Sequence, residues 1–530
     1  MTAPADAPRA VVDCAVVGGG PVGLLTAVFL GQAGMQVSVL ERWPERYSLP
    51  RACTIDHEAL RILQAVGLMA DHADLFEAAQ GEGGGYEFRN GAGDLLQAIN
   101  WHRAAESGWA NTHGFHQPDL EAALENLAIA TPGVSVHRGW TYQSMTEDAE
   151  GISIQVAPTD EPARVVEIRS RWLIGADGAN SSVRTQLGIE VGDSGFEADW
   201  LVVDYRPLVE ENWSAFVTQY CDPAQPVTRV KSGPQRRRFE FMRRAEMSLE
   251  ELGRESTAWR LMAPWGVSPQ TARLERHAVY TFRGRWAERW RKGKAFIAGD
   301  AAHVTPPFLG QGLCAGLRDA RALTWRLSMV HRRLAASGLL DTYGPERVGH
   351  VRELIDEAVA LGRVICELDP ERAAVRDEEM KLRMLNPAAA TREPPHPRLG
   401  EPSLTVPSGG ADGRLAPQGR VRVADQVGLF DDVLGCGWQL VSRGGDPAEL
   451  LGDEDLTWFR QIGGVLADVS AKGHVQDLDG AYRRWFERHG CDSFLARPDF
   501  YVFAAGDHSD IPRFLSRLRQ ALQSASTQGN

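Results

Sequence analysis

The sequence is short of long apolar runs, of clustered cysteines and of net positive charge. No hydrophobic stretch approaches the ~18 residues that would span a bilayer, and 43% hydrophobic with 24% charged residues is the content of an ordinary globular protein. The opening "MTAPADAPRA" has no basic region followed by an apolar one, so no secretory signal and no membrane partner are expected, and the cytoplasm is the default location. Seven cysteines, Cys14, Cys53, Cys221, Cys314, Cys366, Cys436 and Cys491, are scattered without C-x-x-C spacing. That pattern argues against a zinc site and a redox dithiol, so no metal is expected and the thiols are read as reduced. A formal charge of −13 disfavours nucleic acid, because binding phosphates takes clustered cations. What remains is a protein for a small molecule, and 530 residues suffice for two or three cores.

Glycine, by contrast, is placed with purpose. Residues 13–42 read "DCAVVGGGPVGLLTAVFLGQAGMQVSVLER". The apolar run 11–17 predicts a strand, 24–33 a buried helix, and "MQVSVLE" a second strand, which together make a β-α-β unit. Gly18, Gly20 and Gly23 fall at the strand-to-helix turn. Glycine there permits the tight turn, lets backbone approach a pyrophosphate and lets the helix pack close to the strand. The helix start offers unpaired N–H groups and a partial positive charge to phosphate. Glu41 closes the second strand about 20 residues on, where a carboxylate accepts hydrogen bonds from a ribose. This is a dinucleotide fingerprint, and by itself it does not separate FAD from NAD.

Two further turns separate them. Residues 172–184, "WLIGADGANSSVR", carry Asp177 between glycines and end on Arg184, and residues 295–321, "AFIAGDAAHVTPPFLGQGLCAGLRDAR", carry Asp300, a proline pair, and Gly310 and Gly312 at a helix start. An acid after a glycine turn can bond a ribose or ribitol hydroxyl, and the later glycines let backbone N–H groups reach a flat acceptor edge. A helix starting there favours the negative charge that a reduced flavin carries at its pyrimidine end. The three motifs together point to FAD.

With "GGGPVG", "ADGANSSVR" and "AGDAAHVTPPFLGQG" in that order, the chain resembles the single-component FAD-dependent aromatic hydroxylases, the class A flavoprotein monooxygenases. The stretches "LPRACTIDHEALRILQAVGL", "GFHQPDLEAAL", "WLVVDYRP" and "RRRFEFM" are similar to the branch containing 3-(3-hydroxyphenyl)propionate hydroxylase and antibiotic-tailoring phenol hydroxylases. The resemblance covers about residues 11–380. It implies an α/β fold: a Rossmann-like FAD-binding domain of the p-hydroxybenzoate hydroxylase type at 1–190 and 275–385, with part of 76–99 covering the active site, and an inserted β-sheet substrate domain at 191–274. The Pro- and Gly-rich residues 386–420 read as a linker. Residues 421–530 look like a thioredoxin-like C-terminal domain without C-x-x-C, ending in a helix that frays into a polar tail. Packing or homodimer formation is its expected role.

Residue by residue, the resemblance places Glu41, Arg42, Arg51 and Gln117 beside the FAD ribose and pyrophosphate, and Asp300 at the ribitol. Pro307, Gly310, Gly312, Leu313 and Cys314 would border the isoalloxazine, while Asp177 and Arg184 would touch both FAD and NAD(P)H. Cys314 departs from the Asn of many relatives. The implied activity is hydroxylation of a phenolic substrate with NAD(P)H, O2 and a flavin C4a-hydroperoxide. For activating the phenol the candidates are His113, His116, Tyr205, Tyr220 and His303, types that relay a proton or bond a phenolate. Each has an ordinary core or hydrogen-bonding role as its alternative. Arg238, in the basic run 236–238, reads either as a carboxylate or phosphate anchor or as part of a solvated strand edge. A Baeyer–Villiger or epoxidising enzyme of a polyketide-type substrate and a non-catalytic flavin-containing binding protein stay open.

Overall fold

The computed structural model describes residues 7–79, 85–99, 105–386 and 398–524. The apolar strand Val11–Val17 lies between two parallel neighbours, Val37–Glu41 and Val166–Gly175. Both of its faces are covered, which is why it reads as a continuous hydrophobic run rather than an alternating one. Ala295–Ile297 extends the parallel set beyond Val166–Gly175, and Val134–Arg138 extends it beyond Val37–Glu41. The helix Pro21–Gln32 follows Gly20 directly with proline in its first turn, where a missing N–H costs nothing. Because these strands run the same way, the turns after Val17, Glu41, Gly175 and Ile297 emerge along one edge of the sheet, the edge where open α/β sheets bind ligands.

A second sheet of eight strands stands over that edge. Its order is His303–Val304, Ala272–Ala287, Val191–Pro207, Arg237–Met242, Val227–Lys231, Val217–Tyr220, Tyr86–Arg89 and Leu95–Ile99. It therefore takes in both the segment 191–274 and the two strands within 76–99, and its strand Ala272–Ala287 runs across the 274/275 division. Leu201, Val203, Tyr205, Phe239 and Phe241 form a core with the helical segment 249–262 on one face. The residues between them in sequence look the other way, as the two-residue period of a strand requires.

In the C-terminal part four strands are ordered Gly464–Asp468, Trp438–Ser442, Ser493–Ala496, Val502–Gly506. The first two are parallel and joined through the helix Asp453–Gln461, and the other neighbours are antiparallel. With Ala481–His489 and Ile511–Ser524 this β-α-β-α-β-β-α path is a thioredoxin-like layout. Of the stretch read as a linker, 387–397 lie outside the described residues. Residues 398–419 hold no regular helix or strand, yet Leu399, Ala411, Leu415 and Ala416 are buried. The expected polar tail, 525–530, also lies outside the described residues. Among the described residues no helix is long and apolar enough to cross a membrane.

Candidate active site

A cleft of about 880 Å³ separates the C-terminal edge of the parallel sheet from the open face of the eight-stranded sheet. Its first end is the glycine fingerprint. Gly18 has φ +109°, and a Cβ on it would stand 2.2 Å from the Ala176 carbonyl oxygen; one on Gly23 would stand 2.0 Å from the Gly18 carbonyl oxygen. Those two glycines make the turn and the helix contact. Gly20 differs: its φ is −78° and no atom lies within 4 Å of where a Cβ would be. Its missing side chain leaves a cradle open on the cleft at the helix N-terminus, which suits a pyrophosphate.

Beside it Glu41 accepts hydrogen bonds from the backbone N–H groups of Gly19 (2.7 Å) and Trp43 (2.9 Å). Arg42 and Arg51 line the cleft, the latter half exposed and resting over the Tyr47 ring. The Gln117 side chain also lines it, accepting from the N–H groups of Arg51 (3.2 Å) and Ala52 (2.7 Å) and donating to Glu121 (2.6 Å). It thereby fixes the loop that carries Arg51. Asp177 borders the cleft but takes the Ser181 hydroxyl (2.5 Å) and the Ser182 and Val183 N–H groups (2.7 and 3.2 Å), capping the short helix behind it. Asp300 is exposed on the cleft wall. At the far end Pro307, Gly310, Gln311, Gly312 and Leu313 line the cleft where the 20-residue helix Gly312–His331 begins. Open cradle, two carboxylates and a helix start at each end fit the phosphates, hydroxyls and flat ring edge of FAD.

The chain matches the FAD binding domain family over residues 11–358 and the HcaD C-terminal domain over 413–521. It is 36% identical to a probable NADH-specific resorcinol 4-hydroxylase of Rhodococcus jostii, covering 98% of this chain and 97% of that one. The chain belongs to the FAD-dependent aromatic hydroxylases. A second relative of this hydroxylase, the 3-(3-hydroxy-phenyl)propionate/3-hydroxycinnamic acid hydroxylase of Mycolicibacterium smegmatis, is 32% identical over 96% and 92% of the two chains. Its fold is shared with the flavin-dependent monooxygenase PieE, solved with FAD and substrate (TM-score 0.78, 20% identity, 97% and 100% coverage). It is shared too with aklavinone-11 hydroxylase, solved with FAD and aklavinone (TM-score 0.74, 24% identity, 96% and 99% coverage).

Several side chains of the hydroxylase that were candidates for the site stand away from the cleft. Tyr205 is buried on the far face of the substrate sheet, stacked on Phe239 with ring centroids 5.9 Å apart and donating to Glu211. Tyr220 shares that face, edge-on to Trp265 and accepting from Arg229. Their positions in the strand alternation turn them from the cleft. His116 precedes the helix Gln117–Ala130 with its Nδ1 2.9 Å from Asp119. His113 is buried edge-on to Trp109, its pKa pushed down to about 4 by burial. His303 bonds Asp319 (2.7 Å) and stacks on Trp290. Arg184 donates to the carbonyls of Ala301 (2.8 Å) and Ala179 (2.9 Å), joining two cleft turns from behind. The Cys314 thiol points inward and accepts from the Asp56 N–H at 3.4 Å, so the departure from Asn puts no side chain into the cleft.

Arg238 does reach the cleft, but as one of a buried set. It donates to both Asp204 oxygens (2.7 and 3.1 Å) and to the Arg51 carbonyl (2.8 Å). Sequence reasoning missed the residues around it. On the open face Arg276, Asp204, Arg238, Val230, Val217 and Tyr86 form one cross-strand row, and Ala278, Val202, Glu240, Thr228 and Gln219 form the next. Once Arg238 is placed, the two-residue period would have pointed to Glu240.

Proposed function

We propose that the hydroxylase acts on a small phenol of the resorcinol or 3-hydroxyphenyl type, with NADH as reductant and O2 as oxidant, in the cytoplasm. The observation that carries this reading is the opposition, across one cleft, of the flavin-fitting backbone at 307–313 and a polar patch set in apolar walls. The relatives' names support the substrate type and the reductant, and seven free cysteines suit a reducing compartment. FAD, when bound, supplies electron transfer from NADH and activation of O2. The chain's own residues then hold and shield the ring. Val202, Val217, Val230, Phe282 and Phe308 line the space with apolar surface, which seats a flat ring and excludes water from it. Thr228, Gln219 and Tyr86 stiffen the floor through a chain of hydrogen bonds that ends on the Phe308 carbonyl (2.6, 2.8 and 3.0 Å). No feature of the cleft favours the Baeyer–Villiger, epoxidising or non-catalytic readings over this one.

The test is NADH oxidation and product analysis with resorcinol and 3-(3-hydroxyphenyl)propionate. Substrate-stimulated oxidation with a ring-hydroxylated product is expected. Absence of stimulation across a broad panel of phenols would sink the reading.

A further inference from the structure

Hydrogen bonds divide the polar groups of the cleft's substrate side into two sets. Thr228, Gln219 and Tyr86 are engaged with one another, and Arg238 is held by Asp204 and backbone. Glu240 and Arg276 are left over. Both are buried and both line the cleft. Because Arg238 occupies Asp204, Arg276 Nε stays 3.7 Å from that carboxylate, and its Nε and Nη1 have no hydrogen-bond partner. The cation nearest the Glu240 carboxylate is Arg238 Nη1 at 3.7 Å, and no described residue donates a hydrogen bond to it. A buried acceptor and a buried donor, each unmatched and each bordering the same cavity, is a costly arrangement unless a ligand completes it.

We propose that Glu240 accepts the proton of the substrate's phenolic hydroxyl and that Arg276 donates hydrogen bonds to the phenolate oxygen so formed. This rests on the reading of the protein as a phenol hydroxylase and names the residues that activate its substrate. The phenol O–H bond breaks, a Glu240 Oε–H bond forms, and the electron pair stays on the substrate oxygen, which makes the ring a better nucleophile. The proton returns to the product hydroxyl or to solvent. Burial pushes the Glu240 carboxyl up, Arg238 draws it down, Asp204 raises it and Arg276 lowers it, leaving it at about 7. Cys53 and Tyr86 face it from the other elements of the cleft. A base with that affinity is half-ionised at neutral pH, where a general base works best. The opposing view is that Glu240 merely balances two arginines.

Turnover of the holoenzyme and of its Glu240→Gln variant on ring-fluorinated resorcinols of falling phenol pKa separates these views. The expected result is a loss of about 100-fold or more on resorcinol that shrinks steadily and vanishes for phenols already ionised at the assay pH, with flavin content unchanged. The wild-type limb in kcat/KM near neutral pH should disappear in the variant. Glu240→Asp, which retains a carboxylate, should recover part of the loss. An equal loss across the series, or a wild-type pH profile in Glu240→Gln, would overturn the proposal while leaving the hydroxylase reading intact. A wild-type enzyme that turns over none of these phenols or 3-(3-hydroxyphenyl)propionate would overturn both.

Discussion

Two buried charge clusters in this molecule use the same residue types and are left in opposite states. Where the C-terminal part meets the FAD-binding part, Glu346 accepts from Arg497 through both oxygens (2.9 and 2.8 Å), from Arg326 and from the Leu404 N–H (2.6 Å). Asp499 there takes Arg497 twice and the Trp325 indole N–H. No buried side-chain nitrogen or oxygen of Glu346, Asp499, Arg326 or Arg497 is without a partner, and the cluster joins two parts of the fold. In the cleft Asp204, Arg238, Glu240 and Arg276 also balance in sign, yet Arg276 Nε and Nη1 have no hydrogen-bond partner and no described residue donates a hydrogen bond to the Glu240 carboxylate. A closed cluster specifies how parts dock; an open one waits for a ligand. The fingerprint glycines divide in the same way, Gly23 being closed against Gly18 and Gly20 open.

The glycines offer the largest contrast. Gly20→Val should give a folded protein without flavin, because the side chain enters empty space meant for phosphate, whereas Gly23→Val should give no folded protein. Circular dichroism and bound-flavin absorbance read the two outcomes, and normal flavin content in Gly20→Val would break the distinction. Next in size is the closed cluster: Glu346→Ala strands two buried arginines and should cost about 3–5 kcal/mol in thermal or urea unfolding. Glu240→Gln, in the open cluster, should leave stability at pH 8 equal to or above that of the wild type.

The two carboxylates should also answer pH with opposite signs. Burial raises Glu346, but Arg326 and Arg497 overcome it and hold the group below its ordinary 4.5, so its stabilisation is present above that value and is lost as pH falls through the lower folded one. Glu240 is raised to about 7. Between about 4.5 and 7 the folded state keeps a proton that the unfolded chain releases, so stability falls as pH rises across that window. The midpoint advantage of Glu240→Gln over wild type should therefore shrink from pH 8 to pH 5; an advantage independent of pH would show that Glu240 is not raised. The smallest effect belongs to Tyr205→Phe, on the face turned from the cleft. It should cost under about 1 kcal/mol and leave kcat/KM unchanged, and a tenfold fall in kcat/KM would put Tyr205 back in the site.

The FAD half of the site was legible because each motif is local. Strand, glycine turn and helix lie within about 30 residues of one another, as a β-α-β unit requires, and each leaves its own pattern of glycine, acid and apolar period. The substrate half was less so. Tyr205 and Tyr220 have suitable chemistry, and alternation shows that they share a face with neither Asp204 nor Gln219. It does not show that the face carrying Asp204, Arg238 and Glu240 borders the cleft, because a run of charged residues reads equally as a solvated face until the opposing FAD-binding part is placed. The buried arginines were missed for a related reason: Arg61, Arg326, Arg347 and Arg497 are almost fully buried, and an arginine is credible inside only when its partner is known. The partner of Arg61 is Asp431, 370 residues away.

By itself the sequence determined the cofactor, the order of the glycine turns that line the cleft and the α/β class, since these depend on backbone conformations that a few neighbouring residues dictate. Only the tertiary structure decided which charges are matched. Asp204, Arg238, Glu240 and Arg276 come from three strands, and whether each carboxylate meets a guanidinium depends on cross-strand register, down to the irregularity at Asp204/Tyr205 that still sets Arg276 opposite Asp204. Hydrogen bonding is a short-range, directional interaction. A shift of one residue in either pairing would turn that strand's charged groups to the opposite face of the sheet, away from their partners and from the cleft.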